Sequence, residues 1–87
     1  MASQSFDITI LSYAKKDNFT VESVHGQSNT GHFTIWAEHA PLVTLLSPGS
    51  SLKLKEKDGK HRKIDIDNGV LVVDNDGNVE VILSSGL

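Results

Sequence analysis

The sequence predicts an all-β protein, a flattened sandwich or barrel of about eight to ten short antiparallel strands. Apolar and polar residues alternate with a period of two along most of the chain, as they do in half-buried strands. Turn residues recur about every 8–12 positions, which is typical of a sheet built from short strands. No stretch keeps a helical period for more than about two turns. The 87 residues allow one domain, which we place at residues 6–84, between tails at residues 1–5 and 85–87.

Eight segments carry the strand pattern. The alternation changes phase at Ser23 and Val24, which predicts a bulge or a strand end there. The polar residues 14–18 and the glycine-containing residues 25–31 are expected to be connections. A segment that is apolar on both faces, 70–73, is expected to lie between two layers of the sandwich. The predicted strands are 6–10, 19–24, 32–36, 42–46, 52–55, 63–67, 70–73 and 79–83.

The turns follow from residue types with known backbone preferences. The Pro-Gly pair at 48–49 stands in the order that a type II turn favours. The Asp-Gly pair at 58–59 favours a hairpin because both residues tolerate a positive φ at low cost. The segment 74–78 is the last turn. Pro41 lacks a backbone donor and biases the residue before it towards extended geometry, so 37–41 should form a fixed corner.

Composition excludes several classes of protein. The formal net charge is −3 and 22% of the residues are charged, which argues against a strongly basic nucleic-acid binder and an acidic disordered tail. The chain has no cysteine, so it has no disulfide framework, no thiolate nucleophile and no cysteine-based zinc site. The amino terminus lacks the features of a secretory peptide, and no window approaches the roughly 18 apolar residues of a membrane helix. We therefore expect no nucleic-acid partner and no direct membrane insertion.

Candidate chemistry is sparse. His25, His32 and His39 are seven residues apart, but an odd spacing places neighbours on opposite faces of a strand. The segment 74–78 has oxygens at the first positions of a calcium loop, yet the later glycine and glutamate are missing. No G-x-S-x-G motif and no phosphate-binding glycine loop occurs. The sequence thus predicts no catalytic residue, no cofactor and no metal; a small metal-dependent enzyme that uses the histidines is an open alternative.

The charge is uneven along the chain. Residues 53–63 carry five lysines and one arginine against two acids, a net charge of +4, whereas the other residues carry −7. This basic hairpin is either a solvated face whose lysines deter edge pairing or a contact for an acidic partner, lipid headgroups or RNA. A stand-alone β-sandwich adaptor that binds an acidic partner through 53–63 is therefore a second alternative. Trp36, the single tryptophan, either fills the core or lies at a contact surface.

One long segment is more specific than general β sequence. Residues 31–49 read GHFTIWAEHAPLVTLLSPG, which is a glycine, a short apolar strand, His-Ala-Pro-Leu and a Pro-Gly turn. This order resembles the signature of the epsilon subunit of F-type ATP synthases. Asn68 replaces a glycine of that family, Ala37 replaces a frequent proline, and the loop at 25–31 is longer. The flanking strands also resemble the family, in segments 6–10, 19–24, 68–73 and 78–83.

The resemblance implies a non-catalytic rotor subunit in the central stalk of a proton- or sodium-translocating ATP synthase. Such a subunit is monomeric in isolation and binds the gamma subunit and the c-ring, which couples ion flow to ATP synthesis. It would be a peripheral membrane protein on the cytoplasmic face of the bacterial inner membrane, or on the matrix or stromal face in an organelle. Carried over by motif, the gamma contact comprises His39, Ala40, Pro41, Leu42 and Thr44. The c-ring contact comprises Ser28, Asn29, Thr30, Gly31 and His32.

Members of this family usually continue into C-terminal helices, which act as an inhibitory brake and in some members bind ATP. The sequence given stops after its last predicted strand. The resemblance therefore implies either a natural short form or a trimmed chain, and it assigns neither the brake nor the ATP site to these residues.

Overall fold

The computed structural model describes residues 4–13 and 15–84, in which all regular secondary structure is β-strand. The predicted all-β class is confirmed, with eight strands among the described residues. No described segment forms a helix long and apolar enough to cross a membrane. The predicted tails fall largely on residues 1–3 and 85–87, outside the described ranges. The strands are β1 (Phe6–Ser12), β2 (Lys15–Ser28), β3 (Gly31–Trp36), β4 (Leu42–Leu46), β5 (Ser51–Glu56), β6 (His61–Asp65), β7 (Gly69–Val73) and β8 (Val79–Leu83).

The strands hydrogen-bond in the order β1-β8-β7-β4-β2-β5-β6, and β3 is attached to β2. The first half of β2 pairs with β1, and its second half pairs with β3 and β5. This long strand passes from one layer to the other and joins them into a flattened sandwich. The pairing of β1 with β8 is parallel, which the expectation of antiparallel strands did not include.

One hydrophobic core lies between the layers. Each strand contributes alternate side chains, as in β8, where Val79 and Val81 are buried and Glu80 is exposed. β6 contributes only the partly buried Ile64, so it is the most exposed strand among those described. The buried apolar set is Phe6, Ile8, Ile10, Val21, Val24, Ile35, Leu46, Leu52, Leu54, Ile66, Leu71, Val73, Val79 and Val81.

β2 is longer than the sequence pattern predicts. The segment 15–18, expected to be a connection, pairs with β1, and Thr9 Oγ1 donates to Asn18 Oδ1 at 2.7 Å across this pair. The segment 25–28, expected to be part of a loop, pairs with β3. Both expectations are wrong because backbone hydrogen bonds hold these strand ends, whose exposed positions are free to carry polar side chains. The register of β2 against β5 shifts just before Ser23, which confirms a bulge in this region.

The predicted turns are present. Gly49 has a φ of 79° directly after Pro48, as a type II turn requires. The β5–β6 and β7–β8 turns share one geometry, in which Gly59 and Gly77 have φ values of 91° and 84°. The amide of each glycine donates to the carbonyl three residues before it, at 2.9 Å and 3.2 Å. These short turns fix the register of both hairpins.

Candidate functional site

The segment 37–41, which we call the elbow, joins β3 to β4 at the surface. Ala40 and Pro41 are exposed, and His39 is half-buried. Glu38 has a φ of 63°, a left-handed conformation that costs a residue with a Cβ about 1–2 kcal/mol. The corner predicted from Pro41 is therefore present, and its strained turn requires that surrounding contacts hold it in place.

Two contacts fix the elbow. His39 Nδ1 donates to the carbonyl oxygen of Ala40 at 2.7 Å, so the imidazole braces the backbone directly before Pro41. The backbone of Glu38 lies against the buried Gly77 in the β7–β8 turn, where a Cβ on Gly77 would stand 3.5 Å from Glu38 Cα. The elbow is thus ordered before any partner arrives, and an ordered surface loses less conformational entropy on docking.

The side chains of β4 alternate between core and solvent. Leu42 and Thr44 are half-buried and share the inward parity of the buried Leu46. Val43 and Leu45 point outward and are 70% and 58% exposed. A partner on this strand would therefore contact Val43 and Leu45 more closely than Leu42 and Thr44, the two residues that the family motif indicates.

Two neighbouring strands extend this surface into what we call the apolar face. Leu45 lies opposite Val70 on β7, which lies opposite Ile82 on β8. In the next row, Val43 lies opposite Val72. Ile82 is 44% exposed, while Val70 and Val72 are half-buried. A contiguous apolar patch on a small domain indicates an interaction surface.

The sequence pattern missed the apolar face. We expected residues 70–73 to lie between two layers because they are apolar on both sides. In the structure Leu71 and Val73 face the core, whereas Val70 and Val72 face outward, so that expectation is wrong. The sequence signal for the patch is that residues 42–46 are apolar on both sides like 70–73, but the pairing of β4 with β7 comes from the structure.

The β2–β3 hairpin ends in what we call the tip, residues 28–32. The Ser28 hydroxyl is half-buried; it accepts the Thr30 amide at 3.3 Å and lies 3.1 Å from the Thr30 hydroxyl. Asn29 and Thr30 form the exposed turn, and Gly31 follows with a φ of 128°. The structure therefore groups the residues of the predicted second contact in one polar projection that is held by its own hydrogen bonds.

β4 connects the elbow to the tip. It begins at Leu42, directly after the elbow, and it ends at Leu46, which pairs with Ser28 at the base of the tip. Asn29 of the tip also borders the same surface depression as Leu45 of the apolar face. Since strand residues rise about 3.3 Å each, the two ends of β4 are held on the order of 13 Å apart.

The four histidines lie on separate elements. His61 is on β6 and His39 is in the elbow. His25 and His32 are both on the outer face of the β2–β3 hairpin, so the expectation that their odd spacing places them on opposite faces is wrong, because the chain reverses between them. In the ranges 4–13 and 15–84, no group of three or more His, Cys, Asp and Glu side chains is arranged to hold a metal ion. In the turn 74–78, the first carboxylate accepts two amides of its own turn at 2.9 and 3.0 Å, so its oxygen serves the hairpin.

The remaining candidates are on the surface. Trp36 is 60% exposed at the end of β3, so the alternative that it fills the core is wrong. On β5, Leu52 is buried and Lys53 is exposed, which is the solvated outer face that the alternation predicts.

Comparisons with known proteins identify a related family. The family model described as ATP synthase, Delta/Epsilon chain, beta-sandwich domain matches residues 5–85. A curated relative, ATP synthase epsilon chain 2 of Burkholderia orbicola (strain AU 1054), is 38% identical over 65 residues. That alignment covers 75% of this chain, and the chain spans 40% of the length of the relative.

Two solved structures contain a similar fold. One chain belongs to the Euglena gracilis mitochondrial ATP synthase, OSCP/F1/c-ring, with a TM-score of 0.85 and 21% identity over 95% of this chain and 52% of that chain. The other belongs to the Tetrahymena thermophila mitochondrial ATP synthase, central stalk/c-ring, with a TM-score of 0.80 and 18% identity over 98% of this chain and 67% of that chain. At these identities the similarity establishes the β-sandwich fold.

Proposed function

The chain belongs to the family of ATP synthase delta and epsilon chain β-sandwich domains, and from this premise we propose that it is a non-catalytic subunit of the central stalk. In this role it binds the gamma subunit and the c-ring, so that rotation driven by ion flow is transmitted to the sites of ATP synthesis. It sits at the membrane as a peripheral protein, on the side where the F1 part lies. The curated relative named as an epsilon chain supports this proposal.

The observation that carries the proposal is an ordered, exposed elbow that continues into the apolar face. Pro41 and Ala40 present a braced corner, and Val43 and Leu45 follow it directly on β4. We assign the gamma contact to the elbow together with the apolar face. On this assignment Leu42 and Thr44 contribute indirectly, because their half-buried side chains hold β4 in register. His39 also contributes indirectly, by bracing the corner.

We assign the c-ring contact to the tip. Asn29 and Thr30 are polar and exposed, and the bonds of Ser28 order them. A polar projection of this kind suits a hydrated contact, in which ordered water bridges the two partners. The tip and the elbow lie at opposite ends of β4, which allows one rigid domain to contact both partners.

The substitution Leu45→Asp tests the gamma contact. It places a charge in the apolar face at an exposed position, where the fold itself should tolerate it. We expect binding to the gamma subunit, measured by calorimetry or co-purification, to weaken at least about tenfold, because an unpaired carboxylate loses its hydration when an apolar contact buries it.

The control is Lys57→Gln, which changes the net charge by the same amount outside the apolar face. It should bind gamma as tightly as the wild type. If Leu45→Asp also binds with wild-type affinity, the apolar face is not the gamma contact.

A further inference from the structure

A row of basic side chains crosses three neighbouring strands on the outer face of the other layer. His25 on β2 lies opposite Lys53 on β5, which lies opposite Lys63 on β6. All three side chains are exposed. Like charges directly opposite each other destabilise a sheet, so the pair of Lys53 and Lys63 departs from the pairing that stability favours. Such local departures are expected at functional sites.

The acids near this row have other partners. Glu22 Oε1 lies 3.6 Å from Nζ of Lys55, which is two residues along β5 from Lys53. Asp65, the acid that follows on β6, accepts the Ser51 hydroxyl at 3.1 Å. Within the part of the chain that the structure describes, no ion pair engages either lysine of the row.

The row borders a surface depression of about 550 Å³. Its lining also includes His32 and Gln27, whose side chains can donate a hydrogen bond, and Ser51, whose hydroxyl already donates to Asp65. The hydroxyl of Thr34 lies 2.8 Å from Nδ1 of His25, which orients the ring and leaves its Nε2 for a ligand. We call this depression, with the row of His25, Lys53 and Lys63 along it, the basic depression.

We propose that the basic depression binds a phosphate-bearing anion. A phosphate group carries a charge of about −1.5 to −2 near neutral pH and accepts hydrogen bonds through three oxygens, which matches two ammonium groups flanked by neutral donors. The lining holds no Phe, Tyr or Trp on which a nucleic-acid base could stack, so the phosphate itself is the recognised group. This site is separate from the apolar face, and only its lipid source rests on the function proposed above.

Two sources supply such a group. One is a soluble diphosphate or polyphosphate. The other is the headgroup layer of anionic phospholipids, since His32 of the tip lines the depression and the tip is the part proposed to approach the c-ring. Both sources place the same chemistry, a phosphate oxygen, between Lys53 and Lys63.

The test uses inorganic pyrophosphate as the probe, titrated into the protein while backbone amide shifts are recorded by NMR. We expect saturable shifts in β2, β5 and β6 around the depression. The double variant Lys53→Gln/Lys63→Gln should bind pyrophosphate at least about tenfold more weakly, because it loses two charge-assisted hydrogen bonds. The control Lys16→Gln/Lys57→Gln loses the same net charge elsewhere and should bind within about twofold of the wild type.

Two further arms separate the sources. For the lipid source, sedimentation measures how much of each variant binds to phosphatidylglycerol vesicles. Phosphatidylcholine vesicles serve as the blank. If Lys53→Gln/Lys63→Gln loses pyrophosphate binding, the ligand is a soluble phosphate. If this variant loses only vesicle binding, the ligand is a lipid headgroup. Lys53→Arg/Lys63→Arg should retain binding in either arm, which separates loss of charge from loss of fold.

Three results would overturn the proposal. The first is that Lys53→Gln/Lys63→Gln and the control Lys16→Gln/Lys57→Gln weaken pyrophosphate binding equally, which would show that only the net charge of the protein matters. The second is citrate, a carboxylate polyanion, binding as tightly as pyrophosphate. The third is no binding of either pyrophosphate or anionic vesicles to the wild type.

Discussion

Gly26 shows how one absent side chain shapes the β2–β3 hairpin. It lies opposite Phe33, and the Phe33 ring together with the Leu52 side chain fills the space where a Cβ would stand. An aromatic side chain that covers a glycine on the neighbouring strand shields the exposed backbone and pins the register. This position requires glycine because there is no room for a Cβ, and not because the backbone needs the conformational freedom of glycine.

We therefore predict that Gly26→Ala lowers the free energy of unfolding by about 1–3 kcal/mol, because the added methyl overpacks the contact between Phe33 and Leu52. Urea denaturation of the variant and the wild type measures the change. The exposed neighbour provides a control, since Gln27→Ala should stay within about 0.5 kcal/mol of the wild type. Equal stability of Gly26→Ala and the wild type would mean that the ring moves aside freely.

Glu38 gives a second prediction at the residue scale. Its φ of 63° suits glycine, and a β-branched side chain adopts that region least readily. Glu38→Gly should be at least as stable as the wild type, since it removes a penalty of about 1–2 kcal/mol and adds an unfolded-state cost of about 0.5–1 kcal/mol. Glu38→Val should be the least stable of the three by thermal unfolding. The reverse order would show that the contact with Gly77 does not hold the left-handed turn.

Among the elements, β8 and β2 show which strands the local sequence determines. Alternation predicts β8 at 79–83, and the structure has it there, because one face is buried and the other is exposed along its length. The ends of β2, at 15–18 and 25–28, are strand only through backbone bonds to β1 and β3. The polar side chains of these ends do not alternate with apolar ones, so the sequence of each segment alone does not predict the pairing.

The docking surfaces could be predicted in part for a related reason. The family motif indicates the elbow and the tip, and the contact roles of their residues stay predictions. The parity of β4 could not be predicted, because Leu42, Val43, Leu45 and Leu46 are all apolar and alternation does not then say which face meets the core. Pairing with β7 settles the parity and puts Leu45 outward.

A prediction at the element scale concerns the β5–β6 hairpin. Lys63→Glu replaces a like-charged cross-strand pair with an opposite-charged one, because Lys63 lies opposite Lys53. We expect the free energy of unfolding to rise by at most about 1 kcal/mol at low salt, since both side chains are solvated, and the gain should shrink as salt is added. Urea denaturation at two ionic strengths measures both effects. A loss of stability at low salt would show that the two ammonium groups do not repel each other across the strands.

In the whole molecule, the surfaces are divided between the two layers. The apolar face lies on the outer side of β4, β7 and β8, whereas the basic depression lies on the outer side of β2, β3, β5 and β6. A partner on the apolar face therefore leaves the basic depression open. The tip projects where the layers meet, since Ser28 of β2 pairs with Leu46 of β4. This separation of the surfaces predicts that a substitution can weaken one contact without weakening the others.

The final prediction compares two variants in two assays, binding to the gamma subunit alone and assembly of the gamma complex on the c-ring. Thr30→Trp adds bulk at the exposed turn of the tip, so it should leave gamma binding unchanged and weaken assembly on the c-ring by about tenfold or more. Leu45→Asp should instead weaken binding to the gamma subunit alone. If both variants fail equally in both assays while unfolding like the wild type, the apolar face and the tip do not serve separate partners. If the apolar face and the tip bind separate partners, the two defects should separate, because both changed side chains are exposed and neither variant changes the strand pairing of β4.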